Sequence, residues 1–147
     1  MKKLYCISFV LLLSVGLSDP PDWSVSPPDF QFNASMNGVL IFNGEESTDS
    51  NDIIAAFVGD ECRGVKTDGI IWPSTGRMIF GITIYGNVNS ESLTFKAYDA
   101  SADFVFELTG FTYGFIPNDV VGSVEDPVEW SFFSNYKRKR RRFKGTR

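Results

Sequence analysis

Carboxylates are the reactive groups this sequence supplies most freely, and three loops concentrate them: Asp49-Ser-Asn-Asp52, residues 99–103, and Asn118-Asp119. Carboxylate and amide oxygens are the hard ligands that Ca²⁺ takes, so Asp49, Asn51, Asp52, Asp99, Asp103 and Asp119 form a candidate calcium set if the fold gathers the loops at one end. The spacing is not that of an EF-hand, because residues 45–52 lack its alternating ligands and its turn glycine. Solvated acidic turns account for the same residues equally well. No other motif asks for a cofactor. A second group is aromatic: Trp72, between Ile71 and Pro73, stands near Arg77 in sequence, and with Tyr85 and Tyr113 it makes a candidate stacking platform for a sugar ring. The same aromatics also serve to seal the end of a core.

Catalytic constellations are scarce. The chain has no histidine, so its serines and cysteines lack the usual base, and no glycine-rich loop joins a strand to a helix to cradle a phosphate. A carboxylate pair of the glycosidase kind is the one hydrolytic arrangement the composition permits. The sequence therefore reads as a non-catalytic protein, with a small secreted hydrolase as the alternative. Cys62 is the only cysteine after residue 18; it reads as a small buried hydrophobe and leaves no internal disulfide. Arg63 follows it on the same strand and points to the opposite face. With Cys62 inward, Arg63 faces outward and clamps a carboxylate such as Asp60 or Glu61, a structural role for its planar fork.

The N-terminus carries an address. Lys2 and Lys3 precede an apolar stretch from Leu4 to Leu17, short for a membrane span and typical of a signal peptide. Small residues at Gly16 and Ser18 place the cut before Asp19, so residues 1–18 are the signal peptide and the mature protein is secreted, extracellular or at the cell surface. An uncleaved anchor is the alternative. No later stretch is apolar enough to span a membrane.

Charge divides the remainder. Residues 19–130 hold all 18 acidic residues against four basic ones, a formal balance of −14, while the last eleven residues hold eight positive charges. Lys137, Arg138, Lys139, Arg140, Arg141 and Arg142 would bind anionic surfaces by counterion release, or fold back on the acidic domain. Nucleic acid is not an expected partner of a secreted chain. The abrupt change after Trp130 equally fits an altered reading frame or a truncated gene, so residues 131–147 are set apart as a basic tail.

The elements that must position these groups read as strands. Ile53 to Val58 is almost continuously apolar, and Gly59-Asp60 turns it into Glu61 to Val65, a central hairpin. Phe30, Phe32 and Ala34 alternate, and Asn37-Gly38 predicts a turn into a second run, Val39 to Phe42. Residues 66–76 read as a loop. Met78 to Tyr85 is a strand in which Gly81 predicts a bulge or a close contact. Leu93 to Tyr98 alternates as a strand with one wet face, and Phe104 to Leu108, Thr112 to Phe115 and Val120 to Val124 follow. Ahead of them Pro20, Pro21, Pro27 and Pro28 make an extended leader that carries Trp23 and Val25 on one side. No 3.6-residue apolar period is sustained, and the turns recur as in an all-β sandwich. An open barrel has the same periodicity.

Several of these segments, Trp23-Ser-Val-Ser-Pro27, Asp52-Ile-Ile-Ala-Ala-Phe-Val-Gly-Asp-Glu-Cys-Arg-Gly-Val65, Ile82-Thr-Ile-Tyr85, Leu93-Thr-Phe-Lys-Ala-Tyr-Asp-Ala100 and Val121-Gly-Ser-Val124, together resemble a repeat module of large secreted bacterial proteins, some of them with type IX sorting tails. The resemblance covers residues 22–128. It implies an all-β, immunoglobulin-like antiparallel β-sandwich of about 7–9 strands with a structural or adhesive role, and no active site. The chain departs from the pattern in standing alone and in its basic tail. Neighbouring surface modules and extracellular polysaccharide are the expected partners, and a carbohydrate-binding module is the second functional reading.

Overall fold

The computed structural model describes residues 19–134. The signal segment and the basic run 137–142 lie outside the described residues.

The central hairpin forms from the apolar run. Strand β3 (Ile53–Val58) returns through Gly59, whose φ of 58° suits a residue without a side chain, into β4 (Glu61–Lys66). Five of the six β3 residues are buried, with Ile54 and Ala56 in the central core cluster. That is the burial expected of a strand covered on both faces. On its other side β3 pairs antiparallel with β7 (Ser92–Asp99), which alternates as far as Ala97 and sends Leu93, Phe95 and Ala97 into the core, with Tyr98 buried as well. Strand β8 (Phe104–Glu107) lines one end of β7 and β9 (Tyr113–Gly114) the other, giving the order β4-β3-β7-β8.

The second sheet is built on β1 (Phe32–Phe42), which pairs antiparallel with β6 (Met78–Gly86) and, at its end, with the two-residue β2 (Glu45–Glu46). Asn37-Gly38 makes no turn: β1 runs straight through it. The glycine serves packing instead, because a Cβ at Gly38 would lie 2.6 Å from Cε3 of the Trp130 ring. Gly81 is likewise in regular register opposite Asn37, a close contact and no bulge. The short β5 (Ile70–Ile71), inside the stretch read as a loop, pairs with the start of β6. Strands β10 (Val120–Val121) and β11 (Val128–Phe132) run parallel to β1 along its other side, an exception in sheets otherwise antiparallel.

The two sheets pack face to face as a β-sandwich, with seven strands of four residues or more. Trp130, Phe80, Phe95, Phe115 and Phe132 are fully enclosed between them. The folded unit therefore passes the boundary set at residue 130: β11 crosses it, because Val128, Trp130 and Phe132 alternate with polar neighbours and deliver two of the largest core side chains.

The leader lies over the outside of the β3 sheet. Trp23 meets Phe57 edge-on at 5.7 Å, and Lys96 lies 5.1 Å from the centre of the Phe57 ring. After a 3₁₀ turn at Pro27–Asp29, Phe30 reaches Tyr85 at 6.3 Å, and Gln31 N–H donates to Asn87 at 2.8 Å.

The Gly38–Trp130 contact yields a test. Gly38→Ala overfills the core and is expected to cost about 1–3 kcal/mol in urea unfolding. Adding Trp130→Phe to it should recover part of that loss, and strict additivity of the two changes would contradict the contact.

Candidate functional site

Two ends of the sandwich hold the polar side chains singled out in the sequence. At the end where β1 turns into β2, a groove of about 540 Å³ is lined by Glu45, Glu46, Asp49, Asp52 and Asp99, among others. Its best-organised member is Asp52, which is 2% exposed. The Asp52 carboxylate accepts the Ser47 hydroxyl at one oxygen and the Ala100 N–H, at 2.8 Å, at the other. It thus ties the 43–52 loop and the start of β3 to the end of β7. Burial pushes its pKa above the usual aspartate value, the two hydrogen bonds oppose that shift, and Asp99 and Asp49 add to it. Asp49 accepts the Asn51 backbone and side-chain N–H groups, both at 2.9 Å.

The fold brings Asp49, Asn51, Asp52 and Asp99 to this end but not all six candidate calcium ligands together. Asp103 accepts the Tyr98 hydroxyl at 2.7 Å. Asp119 stands at the far end, bonded to the Tyr113 hydroxyl, with its carbonyl on Ser35 N–H. Phe42 lies seven residues along β1 from Ser35, about 23 Å of strand. Among the described residues no group of three or more acidic or cysteine side chains is disposed to hold a metal ion.

The aromatic set divides in the same way. Trp72 and Arg77 share the tight loop between β5 and β6, where Trp72 N–H donates to the Arg77 carbonyl at 2.8 Å. Arg77 is engaged: its guanidinium donates to Glu46 at 3.0 and 2.8 Å and to Glu129 at 3.2 Å, and its pKa is raised by these bonds, Glu46 first. Tyr85 lies at the opposite end of β6, seven strand residues from Met78. Tyr113 is there too, its pKa pushed up to about 12 by burial and then by Asp119. One platform of all four residues does not form, because the β6 strand holds its two ends apart.

Arg63 departs most from the outward placement expected of it. It is 6% exposed and Cys62 beside it only half-buried. The physical reason is register: Cys62 pairs with Phe57, whose ring lies on the outer face against Trp23, so Arg63, the next residue, points to the inner face; it is also the extra residue of a β-bulge, since Ala56 pairs with Gly64. Its guanidinium forms a fork with Glu91 at 3.0 and 2.9 Å, donates to Glu61 at 2.8 Å and to the Tyr85 carbonyl at 3.3 Å, and lies 4.9 Å from the centre of the Phe30 ring. These bonds raise the Arg63 pKa, Glu91 first, and Arg63 in turn lowers that of Glu91. The Cys62 thiol donates to the Gly64 carbonyl, and burial raises its pKa, which favours the protonated thiol. Sequence reasoning missed Glu91; a lone glutamate in a polar turn gives no sign of a partner 28 residues upstream.

No protein-family model matches the chain, and neither a curated protein nor a solved structure matches it.

Two tests follow from this geometry. Replacing Arg63 by Met strands Glu91, whose side chain is 19% exposed, and should cost about 3 kcal/mol in denaturant unfolding, with Arg63→Lys intermediate. For Asp52, whose folded pKa is raised, the contribution to stability is full below the ordinary aspartate pKa and is lost as pH rises through the raised value. Asp52→Asn should therefore gain on the parent as pH rises above the ordinary aspartate pKa. A melting-temperature difference that does not change with pH would contradict this.

Proposed function

We propose that the sandwich is a non-catalytic structural or adhesive module of a secreted or cell-surface protein, engaging neighbouring protein modules or extracellular polysaccharide. The observation that carries this reading is the edge at β5. Ile70 and Ile71 are 59% and 58% exposed, and Trp72 continues the run. Successive strand residues point to opposite faces, so both faces of this edge are apolar. An edge strand also offers unpaired backbone groups to a strand from another protein, and apolar side chains beside it add affinity. Supporting the non-catalytic side of the reading, Arg63, Asp52 and Asp119 each join segments distant in sequence, which is structural work.

A carbohydrate-binding role is the second reading. Trp72 is 37% exposed on a loop pinned by the Gly76 N–H to Trp72 carbonyl bond at 2.8 Å, and a rigid, half-exposed indole suits stacking on a sugar face.

The two readings separate by mutation. Ile70→Lys with Ile71→Lys should reduce retention of the labelled protein on whole cells of its source by about tenfold, since lysine on an edge strand blocks pairing. Unchanged retention would remove the adhesive edge. Trp72→Ala should weaken binding to insoluble polysaccharides by about 1 kcal/mol; a variant held as well as the parent would end the carbohydrate reading.

A further inference from the structure

The outer face of the β1 sheet is polar where β10, β1 and β6 lie side by side. Along β1, Ala34 and Met36 enter the core, so Asn33, Ser35 and Asn37 point outward, Asn33 exposed and the other two half-buried. Along β6, Ile82 and Ile84 are the core residues, which leaves Gly81, Thr83 and Tyr85 on the same outer face. The register sets Asn33 opposite Tyr85, Ser35 opposite Thr83 and Asn37 opposite Gly81. On the other flank β10 places Val120, 69% exposed, beside Ser35. The patch runs about 13 Å from Asn33 to Asn37 and about 10 Å across the three strands. None of these residues carries a charge.

The hydrogen-bonding groups of the patch are held in place yet largely uncommitted. On the β10 flank the Ser35 N–H donates to the Asp119 carbonyl at 2.9 Å and the Asn118 N–H to the Asn33 carbonyl at 2.7 Å, while β6 fixes the other flank. The Asn37 side-chain N–H donates to the Gly122 carbonyl at 3.4 Å, and only a glycine at 81 leaves Asn37 Oδ1 uncovered, since a Cβ there would lie 3.1 Å from it. Among the described residues the side chains of Asn33, Ser35 and Thr83 and the Tyr85 hydroxyl make no hydrogen bond. We propose that this face binds a single dissolved chain of an uncharged polysaccharide. Sugar hydroxyls both donate and accept, as amides and hydroxyls do, and groups anchored on strands need no loop ordering when they bind. A phosphate or uronate chain would find no cation here and would meet the repulsion of a domain with a balance of −14 over residues 19–130. A protein partner would find no apolar centre to anchor on, because Val120 and Tyr85 stand apart on different strands. The site is separate from Trp72, whose flat indole suits the surface of an insoluble polysaccharide, and it does not rest on that reading.

Native electrophoresis of the full chain through gels containing soluble xyloglucan, mixed-linkage β-glucan or galactomannan tests this, with polygalacturonate as the anionic counterpart. At least one uncharged chain should retard the parent, and polygalacturonate should not. Asn33→Ala with Thr83→Ala removes two exposed side chains that bond nothing in the fold, so the melting temperature should stay that of the parent while affinity for the retarding polysaccharide falls about tenfold. Trp72→Ala should be retarded as the parent is, which separates this site from the loop. Absence of retardation by all three uncharged chains would overturn the proposal. So would retardation unchanged in the double variant, equal retardation by polygalacturonate, or a loss seen with Trp72→Ala alone. A parent that sediments as a dimer, and a double variant that sediments as a monomer, would assign the face to a second copy instead.

Discussion

The buried guanidinium of Arg63 is the contact on which the closed side of the sandwich depends. Taking a positive charge out of water costs several kcal/mol, and the fold compensates from separate places in the chain. Glu91 comes from the turn before β7, Glu61 from the same strand, the carbonyl of Tyr85 from the opposite sheet, and the face of Phe30 from the leader. Each partner is ordered by the cation that it neutralises. The neighbouring Gly64 completes the arrangement, because a Cβ there would meet the Ile84 backbone at 3.2 Å and the Thr83 carbonyl more closely still. The register that points Arg63 inward and the glycine that lets β4 approach β6 are thus two parts of one solution to joining the sheets.

The other side is joined by different means. There β8 and β11 are held through aromatic side chains, with Phe106 at 5.0 Å from Phe42 and 6.3 Å from Phe132. Ring packing is non-directional compared with a guanidinium fork, and it leaves backbone edges and several apolar side chains facing solvent. One side of the molecule is clamped and the other is open, which is why an exposed groove, lined by Phe104, Val105 and Phe133, lies beside β8 and not beside β4.

Asp52 plays at the acidic end a part like that of Arg63, with the opposite charge and a less favourable setting. It is enclosed and hydrogen-bonded, yet its nearest charged neighbours, Asp49 and Asp99, are of like sign. Arg63 is stabilised by its neighbours and Asp52 is tolerated because its hydrogen bonds hold three segments in register.

Local chemistry determined what could be read without the fold. The β3–β4 hairpin was legible because an uninterrupted apolar run and a glycine-led turn act over neighbouring residues, and the alternation of β7 because one face of that strand is wet. Trp23 was legible on its face of the leader for the same reason of period two. Long-range packing decided the rest. Asn37-Gly38 has the composition of a turn, but Trp130, 92 residues away from Gly38, needs the space that a glycine leaves. Ile70 and Ile71 become an edge strand only because β6 lies beside them. Arg63 turns inward because Cys62 before it pairs with the outward Phe57, and it finds Glu91 because β4 passes the turn before β7. Residue type also suggested that Asp119 could join the other acidic loops and that Tyr85 could join Trp72, whereas about 23 Å of strand holds those groups at opposite ends. Residue type and period set the fold class, because they act through the nearest neighbours. Which side chains share a site was settled only by strand length, register and the order of the sheets.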